Sequence, residues 1–140
     1  MSYELESSIG FKINQTANKI NNKFNTVLQK YDIAPEQRAA LEIIKYEKEV
    51  NQTKIANILA KDKTTISRTL ASLEKKGFIL KKQINKRTNL IELTPQGEKI
   101  LEESVIIVKE FRKKVSSNLD ENEIKKIVEL LEKVAFNMEN

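Results

Sequence analysis

The sequence predicts a mainly α-helical protein with one small β-hairpin. Gly and Pro interrupt helices, and the 140 residues include only 3 Gly and 2 Pro. Apolar side chains recur every three or four positions through most of the chain, which is the period of a helix. Residues 78–83 and 90–93 instead flank a polar segment at residues 84–89, which predicts strand, turn and strand.

The first part of the chain predicts two helices. The first begins before Ile9 and ends near Tyr31, because its apolar residues follow one side of a helix over that length. The second follows Pro35 and covers residues 36–46. The apolar positions are Ile9, Ile13, Ala17, Ile20, Phe24, Val27 and Tyr31 in the first helix, and Leu41, Ile43 and Ile44 in the second.

The last part of the chain also predicts two helices. One runs from Pro95 to about Ser116, with Thr94 as its cap. Asp120, followed three residues later by Glu123, resembles a capping box and opens the final helix. The apolar stripe of that final helix is Ile124, Ile127, Val128, Leu131, Val134, Ala135 and Met138.

Two shorter helices occupy the middle of the chain, joined by a very short turn around Lys61. Asn51 and Asp62 can each accept hydrogen bonds from the free N–H groups of the helix that follows. Gly77 can adopt the left-handed conformation that ends the second of these helices. The predicted buried positions are Ile55, Ile58 and Leu59 in the first, and Ile66, Leu70 and Leu73 in the second. This spacing is typical of a helix-turn-helix.

The run from Val50 to Gly97 resembles the winged helix-turn-helix of the MarR (multiple antibiotic resistance regulator) family of bacterial transcription factors. The matching segments are residues 51–56, residues 62–68, residues 73–79, Arg87 in the wing, and Leu93-Thr94-Pro95 with Gly97. The family carries an Asp two residues before the wing Arg, where this chain has Asn85. The resemblance implies a winged helix-turn-helix flanked by N- and C-terminal dimerisation helices.

The distribution of charge also indicates a nucleic-acid partner. The net charge is +5, and residues 51–100 hold 11 basic and 4 acidic side chains. Residues 1–50 hold 7 of each sign, and residues 101–140 hold 7 basic and 9 acidic side chains. The positive charge therefore lies in the predicted winged helix, where a phosphate backbone requires it, although a solvated basic surface is the alternative.

Composition excludes several kinds of site. The chain has no Cys and no His, so it lacks disulfides, thiol sensors, and the usual proton shuttle and transition-metal ligands. No Gly-rich phosphate loop is present, so we expect neither an enzyme nor a cofactor. Apolar runs are too short for a membrane span, and the N-terminus does not resemble a signal peptide, so we expect no membrane contact and a cytoplasmic protein.

We expect double-stranded DNA to contact the start of each middle helix and the wing tip. Arg68 could pair with a guanine, or instead contact a phosphate or a nearby acid. Asn51 could contact DNA or simply cap its helix. Lys75, Lys81 and Lys82 are generic basic candidates. The predicted DNA-binding residues are Asn51, Gln52, Thr53, Lys63, Thr64, Thr65, Ser67, Arg68, Lys86 and Arg87.

The expected organisation is a single chain, 1–140, with the winged helix-turn-helix at residues 35–94 and a helical dimerisation region at residues 1–31 and 95–140. The three long apolar stripes need a partner, which a homodimer supplies; packing of the two ends within one chain is the alternative. Two helix-turn-helix motifs could then bind a pseudo-palindromic operator.

The resemblance further implies a repressor that a small, often aromatic, effector releases from DNA. The effector site itself is unknown from the sequence; Lys12, Asn14, Tyr31, Arg38 and Tyr46 could approach it or could be surface or core residues. Other interpretations are a winged helix that contacts proteins, an architectural protein that binds DNA non-specifically without ligand control, and an RNA-binding protein. The scarcity of exposed aromatic residues disfavours the last.

Overall fold

The computed structural model describes residues 3–139. Its helices are α1 (Glu4–Ser7), α2 (Ile9–Leu28), α3 (Pro35–Tyr46), α4 (Gln52–Leu59), α5 (Lys63–Lys75), α6 (Pro95–Glu103), α7 (Val105–Val115) and α8 (Glu121–Asn137). Strands β1 (Ile79–Asn85) and β2 (Thr88–Leu93) form an antiparallel hairpin. The mainly helical fold with one hairpin is therefore confirmed. None of the helices within residues 3–139 is both long enough and apolar enough to cross a membrane.

The chain divides into two compact units, Met1–Ile107 and Val108–Asn140. The core of the first unit joins α3, α4, α5 and the hairpin. Its fully buried members are Ala40, Leu41, Ile55, Ile66, Leu70 and Leu73, each 0% exposed. Backbone pairing continues the hairpin towards α4, because the Ile91 N–H donates to the carbonyl of Val50 at 2.8 Å. The second unit holds most of α7 together with α8.

Local signals placed the starts of α4, α5, α6 and α8 and the end of α5 correctly. Asn51, Asp62, Thr94 and Asp120 each accept a hydrogen bond from the N–H three residues later, as the sequence predicts. Gly77 has a φ of 82°, and the Phe78 N–H donates to the Leu73 carbonyl at 3.0 Å. That bond and the Gly77 N–H bond to the Glu74 carbonyl, also 3.0 Å, form the Schellman motif that ends α5.

The predicted start of the first helix is wrong. Ser8 has an extended backbone, with φ −73° and ψ 124°, and separates the short α1 from α2. Its hydroxyl accepts from the Phe11 N–H at 3.4 Å, so Ser8 caps α2 rather than continuing the helix upstream. At the other end, α2 is followed by a 3-10 turn at Gln29–Tyr31, which agrees with an end near Tyr31.

The predicted single helix from Pro95 to about Ser116 is also wrong, because it is interrupted at Ser104. The Ser104 hydroxyl donates to the carbonyls of Ile100 and Leu101 and accepts from Nε of Arg38 at 2.8 Å. Arg38 is 3% exposed and also pairs with Glu42 at 2.9 Å. The buried guanidinium of Arg38 therefore donates a hydrogen bond to Ser104 at the point where α6 ends and α7 begins.

Two smaller predictions also need correction. The polar segment at residues 84–89 is not all turn: only Lys86 and Arg87 lie between the strands, and the register shifts between Gln83 and Asn85. Ile58, predicted to be buried, is 49% exposed, whereas Ile55 is fully buried. The buried side of α4 is instead formed by Ile55 and Ala56.

Candidate nucleic-acid interface

The turn between α4 and α5 contains three residues, Ala60, Lys61 and Asp62. Ala60 adopts the left-handed conformation, with φ 54°, and ends α4. One contact then caps α5, and a second joins it to α4. The Asp62 carboxylate accepts from the Thr65 N–H at 2.7 Å, and Nε2 of Gln52 donates to the Lys63 carbonyl at 2.9 Å.

The cap also changes the ionisation of Asp62. Hydrogen bonds from Thr65 stabilise the charged carboxylate, and the positive charge of Arg68 adds to the effect, so the pKa of Asp62 lies below its usual range. The carboxylate is therefore ionised at neutral pH, where a negative charge at a helix N-terminus is favourable.

The front of α5 presents polar side chains to solvent. Lys63, Thr64, Ser67 and Arg68 are exposed, and Thr65 is half-buried beside the apolar stripe. No hydrogen bond or salt bridge of the Arg68 side chain is present within residues 3–139, although its positive charge acts on the nearby Asp62 carboxylate. This arc can donate hydrogen bonds to the edges of bases or to phosphates.

The start of α4 is only partly open. Thr53 is exposed, but Asn51 and Gln52 are half-buried and each uses its side chain within the protein. Asn51 Oδ1 accepts from the Lys54 N–H at 2.8 Å. The structural use of Gln52, a bond to the first residue of α5, was missed by the sequence analysis because no local pattern records a contact between two helices.

The wing tip is held in shape by Asn85. Its Oδ1 accepts from the backbone N–H groups of Arg87 at 2.9 Å and Thr88 at 3.0 Å, an arrangement typical of asparagine in turns. Lys86 and Arg87 are both exposed at this tip. The side chain at the family's Asp position thus orders the backbone of the turn in this chain.

The base of the wing requires Gly97. A Cβ added there would lie 2.0 Å from the Phe78 carbonyl oxygen, so only glycine allows α6 to pass so close to the hairpin. The Thr94 hydroxyl, which caps α6, also donates to the carbonyl of Gly77. The end of α5, the wing and the start of α6 are therefore locked together.

The residues considered for an effector site lie in different surroundings. Arg38 is buried against Ser104, and the Tyr31 hydroxyl donates to the Glu103 carbonyl at 3.2 Å. Tyr46 is 73% exposed, and Nζ of Lys12 donates to Gln15 in its own helix, while Asn14 is exposed. A separate open groove of about 520 Å³ lies between α2 and the start of α3, with lining residues that include Asn22, Asn25, Phe24, Pro35, Glu36 and Leu59.

Comparison with known proteins identifies the family. The MarR family model matches residues 33–88, which span the helix-turn-helix and most of the wing. An HTH-type transcriptional regulator of Bacillus cereus is 32% identical over 129 residues, which cover 91% of this chain and 87% of the relative. The chain belongs to the MarR family. This family is a non-enzymatic family of DNA-binding transcriptional regulators.

Solved structures of other MarR family proteins share the fold of this one. A MarR/EmrR family transcriptional regulator from Acinetobacter sp. ADP1 has a TM-score of 0.89 and 28% identity, over 98% of this chain and 99% of that chain. A mutant of the Escherichia coli MarR protein in complex with operator DNA has a TM-score of 0.83 and 25% identity, over 95% of this chain and 99% of that one.

Proposed function

We propose that this MarR family regulator binds a pseudo-palindromic operator as a homodimer and acts as a repressor. The observation that carries the proposal is the exposed polar front of the capped helix α5, with the basic wing tip ordered beside it in the same unit. In this proposal α5 enters the major groove and the wing tip contacts the minor groove or the phosphates.

The proposed contacts divide by role. Thr64, Thr65, Ser67 and Arg68 contact base edges or phosphates from α5, and Lys63 contacts phosphate. Thr53 and the free N–H groups at the start of α4 contact phosphate, with Asn51 and Gln52 holding that helix end in place. Lys86 and Arg87 contact the backbone or the minor groove from the wing.

Exposed apolar surface on the terminal helices supports the homodimer. On α8, Ile127, Val128 and Leu131 are 47%, 48% and 43% exposed, and Ile9 at the start of α2 is 66% exposed. A contiguous apolar stripe in water indicates a missing partner surface. We assign residues 1–31 and 95–140 to dimerisation and residues 35–94 to DNA binding.

The groove beside α2 supports control by a small aromatic effector. It combines apolar Phe24 and Pro35 with the amide of Asn22, a mixture suited to an aromatic ring that carries polar groups. Glu36 lines this groove and also contacts Thr69 of α5, so a ligand there would touch a residue that holds the DNA-binding helix.

Fluorescence anisotropy with labelled duplexes tests the proposed operator binding. The duplexes are the intergenic DNA beside the protein's own gene and an unrelated sequence, each titrated with salt. We expect tighter binding to the former. Arg68→Ala should reduce the difference in binding free energy between the two duplexes by about 1–3 kcal/mol. Equal binding of the parent to both duplexes would contradict sequence-specific regulation of its own gene and favour the architectural alternative.

The wing is tested with the double variant Lys86→Ala/Arg87→Ala. It should weaken binding to both duplexes alike. The slope of the logarithm of the binding constant against the logarithm of the salt concentration should become shallower by about one unit for each phosphate contact that is lost. A double variant on α2, Lys19→Ala/Lys23→Ala, removes the same charge away from the proposed interface and should leave the slope unchanged. An equal effect of the two variants would assign the binding to overall charge alone.

Effector control is tested by adding a panel of phenols and aromatic carboxylates to the protein–DNA complex. We expect at least one to release the DNA. Asn25→Trp, which fills the groove from an exposed position on α2, should then retain DNA binding and lose the response. Release that survives this substitution would place the effector elsewhere.

A further inference from the structure

Polar contacts between α3 and α5 form a continuous seam beside the apolar core. The Thr69 hydroxyl donates to Oε1 of Glu36 at 2.6 Å. One residue further along α3, Nε2 of Gln37 donates to the Ser72 hydroxyl at 3.0 Å. Nζ of Lys76 then donates to Oε1 of Gln37 at 3.3 Å. Thr69, Ser72 and the C-cap residue Lys76 follow the helix period, so they lie in one row along α5 and its end.

The seam also reaches the segment that joins α2 to α3. Nζ of Lys76 donates to the backbone carbonyl of Asp32, a residue in the left-handed conformation with φ 54°. Oε1 of Gln37 accepts from the Ala34 N–H at 2.9 Å, which ties the same side chain to the beginning of α3. The C-terminal half of α5 is therefore bound to the connection that directly follows α2.

Burial makes these contacts more effective than surface contacts. Glu36 and Lys76 have side chains that are each 27% exposed, and Thr69 and Ser72 are half-buried. A hydroxyl that donates to a carboxylate forms a short, strong hydrogen bond, and partial removal from water strengthens it further. Glu36 also lies 3.6 Å from Nζ of Lys61 in the turn before α5, so one carboxylate contacts both the turn and the helix.

The apolar core by itself leaves the orientation of α5 underdetermined. Ile66, Leu70 and Leu73 keep α5 on the core, but apolar attraction has no direction and permits small rotations and shifts. Reading base edges requires side chains held within about 0.5 Å and 10–20° of the productive geometry. Hydrogen bonds are directional and supply that constraint.

From these contacts we propose that Glu36, Gln37 and Thr69 are positioning residues for sequence recognition. They fix the rotation and height of α5 relative to the α2–α3 connection, and they touch no DNA. The inference rests on the proposed operator binding. It predicts that loss of the seam lowers affinity for the operator while salt-driven binding to unrelated DNA persists, because non-specific binding needs charge and not alignment.

Thr69→Val removes the hydroxyl and keeps the shape of the side chain. We expect operator affinity to fall about tenfold, as for a missing hydrogen bond to a charged group, with binding to the unrelated duplex unchanged within about twofold. Thr69→Ser retains the hydroxyl and should restore discrimination. Thr26→Val is the matched control, since within residues 3–139 the Thr26 hydroxyl bonds to the Asn22 carbonyl in its own helix, at 3.2 Å, and to no other element.

Two further variants separate positioning from direct contact and from folding. Glu36→Ala lies on α3 and should reduce discrimination as Thr69→Val does, and the double variant should be no worse than either single one. Ser72→Ala is a milder change that should reduce discrimination in the same direction. It serves as the test if Thr69→Val fails to fold. Thermal unfolding of each variant gives the fraction folded.

The outcomes are distinguishable. A lower Tm with unchanged discrimination, or additive effects of Glu36→Ala and Thr69→Val, would overturn the positioning role and leave operator binding intact. A parent protein that does not discriminate between the duplexes would refute the proposed function itself, and the positioning role with it.

Discussion

The middle of the chain and its two ends differ in how completely they bury their own apolar side chains. In α5, Ile66, Leu70 and Leu73 are all 0% exposed, whereas in α8 the equivalent stripe, including Val128 and Leu131, is close to half exposed. Both helices have similar amphipathic patterns. The winged region therefore finishes its core within one chain, while the apolar stripe of α8 stays exposed, as expected for the proposed homodimer interface.

The difference shows that an amphipathic pattern reports only that a helix has an apolar side, and leaves the identity of the partner open. In α5 that side meets α3, α4 and the hairpin, which leaves the opposite side free for a ligand as polar and charged as DNA. We infer that function is divided in the same way: recognition in the part with a completed core, and assembly in the part without one.

The largest expected effect is on assembly. Leu131→Glu places a carboxylate in the α8 stripe, once in each chain of a homodimer. Each unpaired buried charge costs at least about 1–3 kcal/mol, so the dimer dissociation constant should rise by about 100-fold or more. Sedimentation equilibrium measures it. Asn122→Glu adds the same charge on the opposite side of α8 and should have little effect; equal dissociation by both variants would show that the stripe is not the interface.

Next in size is the effect on the completed core. Leu70→Ala should lower the free energy of unfolding by about 2–5 kcal/mol, because it opens a cavity among fully buried side chains. Urea unfolding at fixed protein concentration measures the change. Ile58→Ala, on the half-exposed side of α4, removes a similar apolar side chain and should cost far less. Similar losses from the two variants would mean that the core extends over Ile58.

The smallest effect concerns the cap of α5. Asp62→Ala removes the acceptor for the Thr65 N–H and should lower Tm by a few degrees, whereas Asp62→Asn keeps an acceptor without a charge. The pKa of Asp62 is lower in the folded chain than its ordinary value of about 3.8, because hydrogen bonds from Thr65 stabilise the charged carboxylate. Its contribution is therefore complete above that value and is lost as the pH falls through the lower, folded-state pKa.

This loss of stability at low pH can be measured directly. The Tm of the parent, minus the Tm of Asp62→Asn, should decrease as the pH falls below about 4. Thermal unfolding followed by circular dichroism over a pH series measures this difference. A constant difference across the series would show that the charge of Asp62 contributes nothing beyond the hydrogen bond.

Several features of the fold and of the interface could be predicted because their causes are local. The caps at Asn51, Asp62, Thr94 and Asp120, and the left-handed Gly77, each depend on residues within a few positions of one another. The polar arc of α5 and the basic wing tip follow from helix and strand periods in the same way. Which of these side chains contact DNA stays a prediction.

Other features depend on residues far apart in the chain. The interruption at Ser104 is stabilised by Arg38, which lies 66 positions earlier. The seam that joins Glu36 to Thr69 spans 33 positions. A bond from Gln52 to the backbone of Lys63, and the exposure of Ile58, likewise follow from how α4 packs against its neighbours. No short window of sequence contains both partners of such contacts.

The sequence by itself determined the family, the mainly helical fold with one hairpin, the starts of α4, α5, α6 and α8, and the concentration of positive charge in the winged region. These follow from periodicity, capping and composition, which act over a few residues. Only the tertiary structure decided that Arg38 is a buried link to Ser104 and that Glu36 and Gln37 contact α5. Those roles arise when distant polar groups leave water together and must find partners in each other.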